Sequence, residues 1–229
     1  MIQTRGDVEM RRTKTVPGDR KETPLGAKGR TLVLTVGLMS GFLCGCGAAR
    51  PSKYYQLRIP AYPAQVEKAD PVPVTLLLGS LMTSSLYRGD RIVYGGGDEQ
   101  MGTYEYQRWA EPPTEMIQEV LLRQLRASGR YRAIYSRQSN LRGDFALRGR
   151  LDDFKEITGG RMSARVTLEL EMRDLKSGAT VWTHYYSHDE PVSGKDVPDV
   201  VAALDRNVQK AVSEVVSSLD QYFASHPEK

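Results

Sequence analysis

Cysteine and histidine are the side chains best suited to covalent or metal chemistry, and this chain has few of them. Its two cysteines fall in the run Leu43-Cys44-Gly45-Cys46, and its three histidines are His184, His188 and His226. His184 and His188 stand at i, i+4 in a segment that reads as a strand, which puts them on one face. No cysteine or spaced carboxylate cluster joins them locally, and a metal site needs three or four convergent ligands. They read as surface or cross-strand packing residues, with no metal ligand assigned, and His226 sits near the C-terminus. No serine occupies a G-x-S-x-G elbow. Gly95-Gly96-Gly97-Asp98 lacks the Lys-Ser/Thr of a phosphate loop and reads as a turn. Asp152, Asp153 and Glu156 are carboxylates close in sequence, expected on a solvated strand end rather than in a paired acid–base role. No catalytic residue and no cofactor is assigned, and a non-enzyme is expected.

The remaining chemistry is at Cys46. It follows the strongly apolar stretch Thr31 to Leu43, which is uncharged and falls short of the ~20 residues a bilayer-spanning helix needs. Lys21, Lys28 and Arg30 precede that stretch, and Gly45 is a small residue at the cut point. A basic region, a short apolar core and a small residue make a secretory signal. A cysteine directly after the cut makes the segment similar to a bacterial lipoprotein signal. That similarity implies a diacylglycerol on the Cys46 sulfur, cleavage between Gly45 and Cys46, and acylation of the new amino group. Cys44 suits the role less well, because Leu43 before it is bulky. Each buried CH₂ contributes about 0.8 kcal/mol, so two or more acyl chains hold a protein stably on a membrane. The expected organisation is a signal peptide over 1–45, a lipidated tether over 46–53, and one domain over 54–225. Gly47 follows Cys46 where an aspartate is linked with inner-membrane retention in enterobacteria. The expected location is therefore the periplasmic face of the outer membrane rather than the inner membrane.

Charge supports the same division. The whole chain carries +4, but residues 1–30 alone hold 8 Lys/Arg against 4 Asp/Glu, and residues 31–45 hold no charge. The part after Gly45 is therefore balanced, 24 Lys/Arg against 24 Asp/Glu. The basic pI belongs to the leader and gives no reason to expect a nucleic-acid partner. Arg11-Arg12 lacks the hydrophobic residues expected just after a twin-arginine pair. With Cys44 removed and Cys46 acylated, no disulfide staples the domain.

Tyr54 to Ile59 reads as a strand and Pro60 to Pro73 as a loop. Val72 to Leu78 is almost continuously apolar, as suits a strand buried on both faces. Arg91 to Tyr94 is a short strand, Gly95-Gly96-Gly97 a turn, and Thr103 to Trp109 extended. Pro112-Pro113 opens a helix to about Ser128, with Ile117, Leu121 and Leu125 at i+4 and Gly129 at the stop. Tyr131 to Ser136 and Phe145 to Leu151 read as strands. Met162, Ala164, Val166, Leu168, Leu170 and Met172 alternate strictly with polar residues, which demands a strand with one buried and one wet face. Lys176-Ser177-Gly178 turns the chain into a returning strand from Thr180 to Ser187. Pro198 to Phe223 is a long helix with Val201, Leu204, Val208, Ala211, Val215, Leu219 and Tyr222 on its core face. The expected class is α+β: a mixed, largely antiparallel sheet with two helices packed on one face, the polar side of the hairpin left open to solvent.

Tyr104, Tyr106, Arg108 and Trp109 crowd the junction before the first helix. Tyr, Trp and Arg dominate binding hot spots, which makes these four candidate partner-binding residues. Burial of Trp109 beneath the helix and of the tyrosines against the sheet is the other reading. The chain resembles the ABC-type transport auxiliary lipoprotein family (PqiC-like). The resemblance rests on the lipidated cysteine followed by Tyr54-Tyr55-Gln56-Leu57, on Arg91-Ile92-Val93-Tyr94, and on Tyr104-Glu105-Tyr106 with Arg108-Trp109-Ala110-Glu111-Pro112. It continues through the helix ending at Gly129 to Asp144-Phe145-Ala146-Leu147-Arg148-Gly149-Arg150-Leu151, with Phe154 close behind. It spans roughly residues 52–220 and departs in the long Gly95–Gly102 linker. It implies a periplasm-facing lipoprotein working with an MCE (mammalian cell entry) domain protein and its ABC transporter, permease and ATPase, in moving phospholipid or other hydrophobic molecules across the envelope. A homo-oligomer is compatible with it. The alternative is a structural lipoprotein that activates an envelope enzyme such as a peptidoglycan synthase.

Overall fold

The structure is a computed structural model that describes residues 50–61, 72–96, 100–136 and 142–227. The expected signal peptide and Cys46 lie outside these. The order of elements is β1 (Lys53–Tyr55), β2 (Val72–Thr83), a 3₁₀ turn (Ser85–Tyr87), β3 (Arg91–Gly95), β4 (Met101–Trp109), α1 (Pro113–Ala127), β5 (Tyr131–Ser136), β6 (Phe145–Ile157), β7 (Ser163–Asp174), β8 (Thr180–Pro191) and α2 (Val197–Ser225).

β6 organises the sheet. One edge is bonded antiparallel to β7 along its whole length. The other edge is shared, because Phe145–Leu151 pairs in parallel with β2 and the end of the strand, Lys155–Ile157, pairs in parallel with β3. β5 extends the β2 branch in parallel. On the other branch β4 is antiparallel to β3, and β1 adds to β4 in parallel. β8 closes the far side, antiparallel to β7. The β6–β7–β8 ladders are the longest, so the sheet is mixed and largely antiparallel. α1 packs on β2 and β5, α2 on β7 and β8, and the two helices touch. The fold is α+β, as the order of patterns requires.

Hydrophobic pattern decides each layer. Ala164, Val166, Leu168, Leu170 and Met172 point under α2, none more than 3% exposed. Leu204, Val208, Ala211, Val215 and Leu219 meet them from the helix. At the end of α2 it is Phe223 that is buried, while Tyr222 packs at the margin. β2 is buried on both sides through Val74–Leu78, with partners on both edges. Pro113 opens α1 from a Pro112 cap, and Gly129 takes a positive φ of 58° just past its end, a backbone region that glycine enters without steric cost.

Several boundaries differ from expectation: β2 runs on from Leu78 to Thr83 and β8 from Ser187 to Pro191, and two further differences have a visible cause. The first strand stops at Tyr55 instead of reaching Ile59. Leu57 turns into the core, the Arg58 N–H donates to Asp205 Oδ1 of α2 at 2.7 Å, and the Pro60 carbonyl accepts from Arg123 of α1 at 2.8 Å. Side chains of the two helices, not a neighbouring strand, take the backbone groups of this segment. β6 instead runs six residues beyond Leu151. A bulge between Leu151 and Asp153 resets its register, so the polar doublet there does not end the strand.

Candidate functional site

The four aromatic-segment residues sit together on β4 but do different work. Trp109 is 1% exposed, and its ring centroid lies 5.2 Å from that of Phe154. Arg108 Nη1 donates to both carboxylate oxygens of Asp90, at 2.9 and 3.0 Å. The Asp90 carbonyl accepts from the Trp109 N–H at 2.6 Å, so Asp90 fixes two consecutive residues. Tyr104 packs 4.9 Å from Tyr94, and its hydroxyl donates to Glu156 Oε2 at 2.7 Å. Burial, then the bond to and charge of Glu156, push the Tyr104 hydroxyl well above the ordinary phenol range. Tyr106 faces outward, with the Arg50 guanidinium 5.7 Å from its ring centroid. Three of the four residues build the junction, and Tyr106, half-buried beside Arg50, lies outside it.

The carboxylates of β6 differ from expectation as well. Glu156 is 1% exposed, and Lys155, its neighbour on the opposite face, is 2% exposed. Asp153 accepts from the Lys155 ammonium at 2.8 Å and from Thr167 at 3.2 Å. The expected solvated end is covered because β3 pairs alongside it and two β4 side chains reach over it, Tyr104 to Glu156 and Met101 to Lys155.

The histidines do not converge. His184 stacks on Trp182 with centroids 5.7 Å apart, His188 Nε2 lies 3.6 Å from Glu190, and His226 stacks on Tyr222 at the end of α2. Among the described residues no group of three His, Cys, Asp or Glu is placed to hold a metal ion.

Sequence reading missed Asn207. It is fully buried on α2, where its Nδ2 donates to the carbonyls of Ala164 and His188, both at 2.8 Å, and its Oδ1 accepts from the Tyr186 hydroxyl at 2.6 Å. Burial, then the charges of Glu214 and Glu190, push the Tyr186 hydroxyl up to about 12. Asn207 pins α2 to β7 and β8. An asparagine amid Leu204, Val208 and Ala211 on a core face is the only signal the sequence offers.

Opposite the helices, the sheet keeps an open face. Glu169, Thr183 and Tyr185 are exposed there, Tyr185 to 68%. A cleft of about 540 Å³ opens beside the bulge between Leu78 and Leu81 of β2, lined by Met82, Arg148, Arg150, Glu169, Glu171 and Thr183. Arg150 is held by Asp152 at 2.7 Å. Arg148 Nε is buried there without an acceptor. A face of mixed charge with an unused buried donor offers polar contacts.

The sequence matches the family model of ABC-type transport auxiliary lipoprotein components over residues 55–216. The chain belongs to that family. Its fold is similar to that of the crystal structure of protein XCC0632 from Xanthomonas campestris, with a TM-score of 0.66 at 19% identity, covering 76% of this chain and 99% of that one. A second crystal structure, of an uncharacterized protein, aligns with a TM-score of 0.59 at 14% identity over 74% of this chain and 99% of that one. At these identities the likeness concerns the fold. No curated protein matches the sequence. Among the described residues no helix is long and apolar enough to cross a membrane.

Proposed function

We propose that this auxiliary lipoprotein is acylated on Cys46, sits on the periplasmic face of the outer membrane, and docks an MCE-domain protein so that its ABC transporter can pass phospholipid or another hydrophobic molecule between the two membranes. The observation that carries the reading is the family match over residues 55–216. The Leu43–Cys46 segment supports the anchor, and the open face of β6–β8 supports the docking role. There Tyr185 supplies an exposed aromatic and Arg148 a donor in need of an acceptor. Among the candidate residues, Tyr106 remains available for contact, while Tyr104, Arg108 and Trp109 hold its strand in place.

The test is affinity purification of the native lipoprotein from solubilised envelopes, with mass spectrometry of what is retained. Recovery of an MCE-domain protein is expected, reduced by the double variant Arg148→Ala/Tyr185→Ala. Recovery of a peptidoglycan synthase in its place would overturn the reading.

A further inference from the structure

The segment that leaves the expected tether has an unusual composition. From Arg50 to Arg58 it carries Arg50, Lys53 and Arg58, two tyrosines and no acidic residue. Arg50 and Lys53 are exposed, Tyr54 is 64% exposed, and the Arg58 side chain is 86% exposed. Tyr54 aligns with Arg108 on β4, two residues beyond Tyr106, whose ring carries the Arg50 guanidinium. Exposed basic and tyrosine side chains therefore gather where β1 edges the sheet.

Chain length limits what can meet this edge. Arg50 follows Cys46 by four chain steps, with three residues between them, and four steps extend at most about 14 Å. If Cys46 carries acyl chains, Arg50 stays within that distance of the lipid headgroups, and β1 begins three residues farther on. Tyrosine favours the headgroup level, where its ring is apolar and its hydroxyl wet. Each basic residue near an anionic leaflet raises binding about fivefold.

We propose that the β1 edge is the membrane-facing side of the domain, with Arg50, Lys53 and Tyr54 seated among anionic phospholipid headgroups. The consequence is orientation. In the order β1-β4-β3-β6, continued by β7 and β8, five strand spacings of about 4.8 Å lie between the edges. A domain standing on β1 holds β8 about 24 Å farther from the lipid. The tether then does more than localise the protein, because it holds the β8 edge, with the open face of β7–β8 beside it, farthest from the lipid.

The inference rests on acylation of Cys46, and the experiment separates the two. The mature lipoprotein is reconstituted into phosphatidylcholine vesicles with and without phosphatidylglycerol, each doped with a paramagnetic nickel-chelate lipid. One nitroxide is placed through Gln56→Cys, or through Thr183→Cys on β8. Flotation with vesicles of either composition reports the anchor alone, and its absence would count against acylation. With the anchor intact, the Gln56 probe is expected to relax several-fold more strongly than the Thr183 probe in phosphatidylglycerol vesicles. The triple variant Arg50→Glu/Lys53→Glu/Tyr54→Ser should still float but lose that difference. Equal relaxation of the two probes, or a difference untouched by the triple variant, overturns the proposal. So does shielding of the Gln56 probe that appears without lipid and grows with protein concentration, which would assign the edge to a second copy.

Discussion

Asn207 shows how much one polar side chain can organise in an apolar layer. Its amide closes two strand carbonyls and takes the Tyr186 hydroxyl, so Asn207→Leu removes three hydrogen bonds and leaves the Tyr186 hydroxyl only the longer one, 3.3 Å, to the residue 207 carbonyl. We expect a loss of about 3 kcal/mol in chemical denaturation, whereas Glu169→Gln on the open face should stay within about 0.5 kcal/mol. Glu190, 8% exposed, accepts hydrogen bonds from Lys210 and Arg206 of α2, and the Lys210 bond foremost holds its carboxyl below the usual glutamate range. Its contribution is fully present above the unfolded-state value of about 4.3 and is lost as pH falls from there through the lower folded value, because the unfolded chain takes up the proton first. Stability measured against pH should fall on acidification over that window, and Glu190→Gln should flatten the fall. None of these pairings was legible beforehand, since each joins residues far apart in sequence. The role of Trp109 as a plug was legible only as one of two readings, because an aromatic at an element end looks the same in one dimension whether it faces core or partner.

The elements were far easier to read, for a physical reason. β7 alternates because one face meets α2 and the other meets water, and β2 does not alternate because both of its faces are covered. The ends failed where tertiary contacts overrode local pattern: Asp205 and Arg123 pull residues 56–60 off the sheet edge, and a bulge carries β6 past Asp152. Glycine positions give the sharpest tests at this scale. Gly178 turns the β7–β8 hairpin at a φ of 75°, so Gly178→Ala should cost about 1 kcal/mol. Gly149 lies in the middle of β6, where an added Cβ would stand 2.4 Å from Leu170 Cδ2 and 2.7 Å from the Glu169 carbonyl. Gly149→Ala should therefore lose about 3 kcal/mol by overpacking, and thermal unfolding of the two variants should rank them in that order.

For the whole molecule, the proposed function rests on position and surface: the expected tether at Cys46 and the sheet face left open opposite the helices. Cys46→Ser should release the protein from membranes and abolish complementation while leaving the unfolding transition of the domain unchanged, as fractionation and a melting curve will show. If docking runs through the face opposite the helices, that face must touch the partner in the cell. The most direct measurement is photo-crosslinking in intact cells from a benzoylphenylalanine placed at Tyr185 on the open face, with one at Glu119 on α1 as the control. A covalent adduct with an MCE-domain protein is expected from position 185 and none from position 119. An adduct with that protein from 119 alone, or from 185 only with a peptidoglycan synthase, would contradict docking through that face.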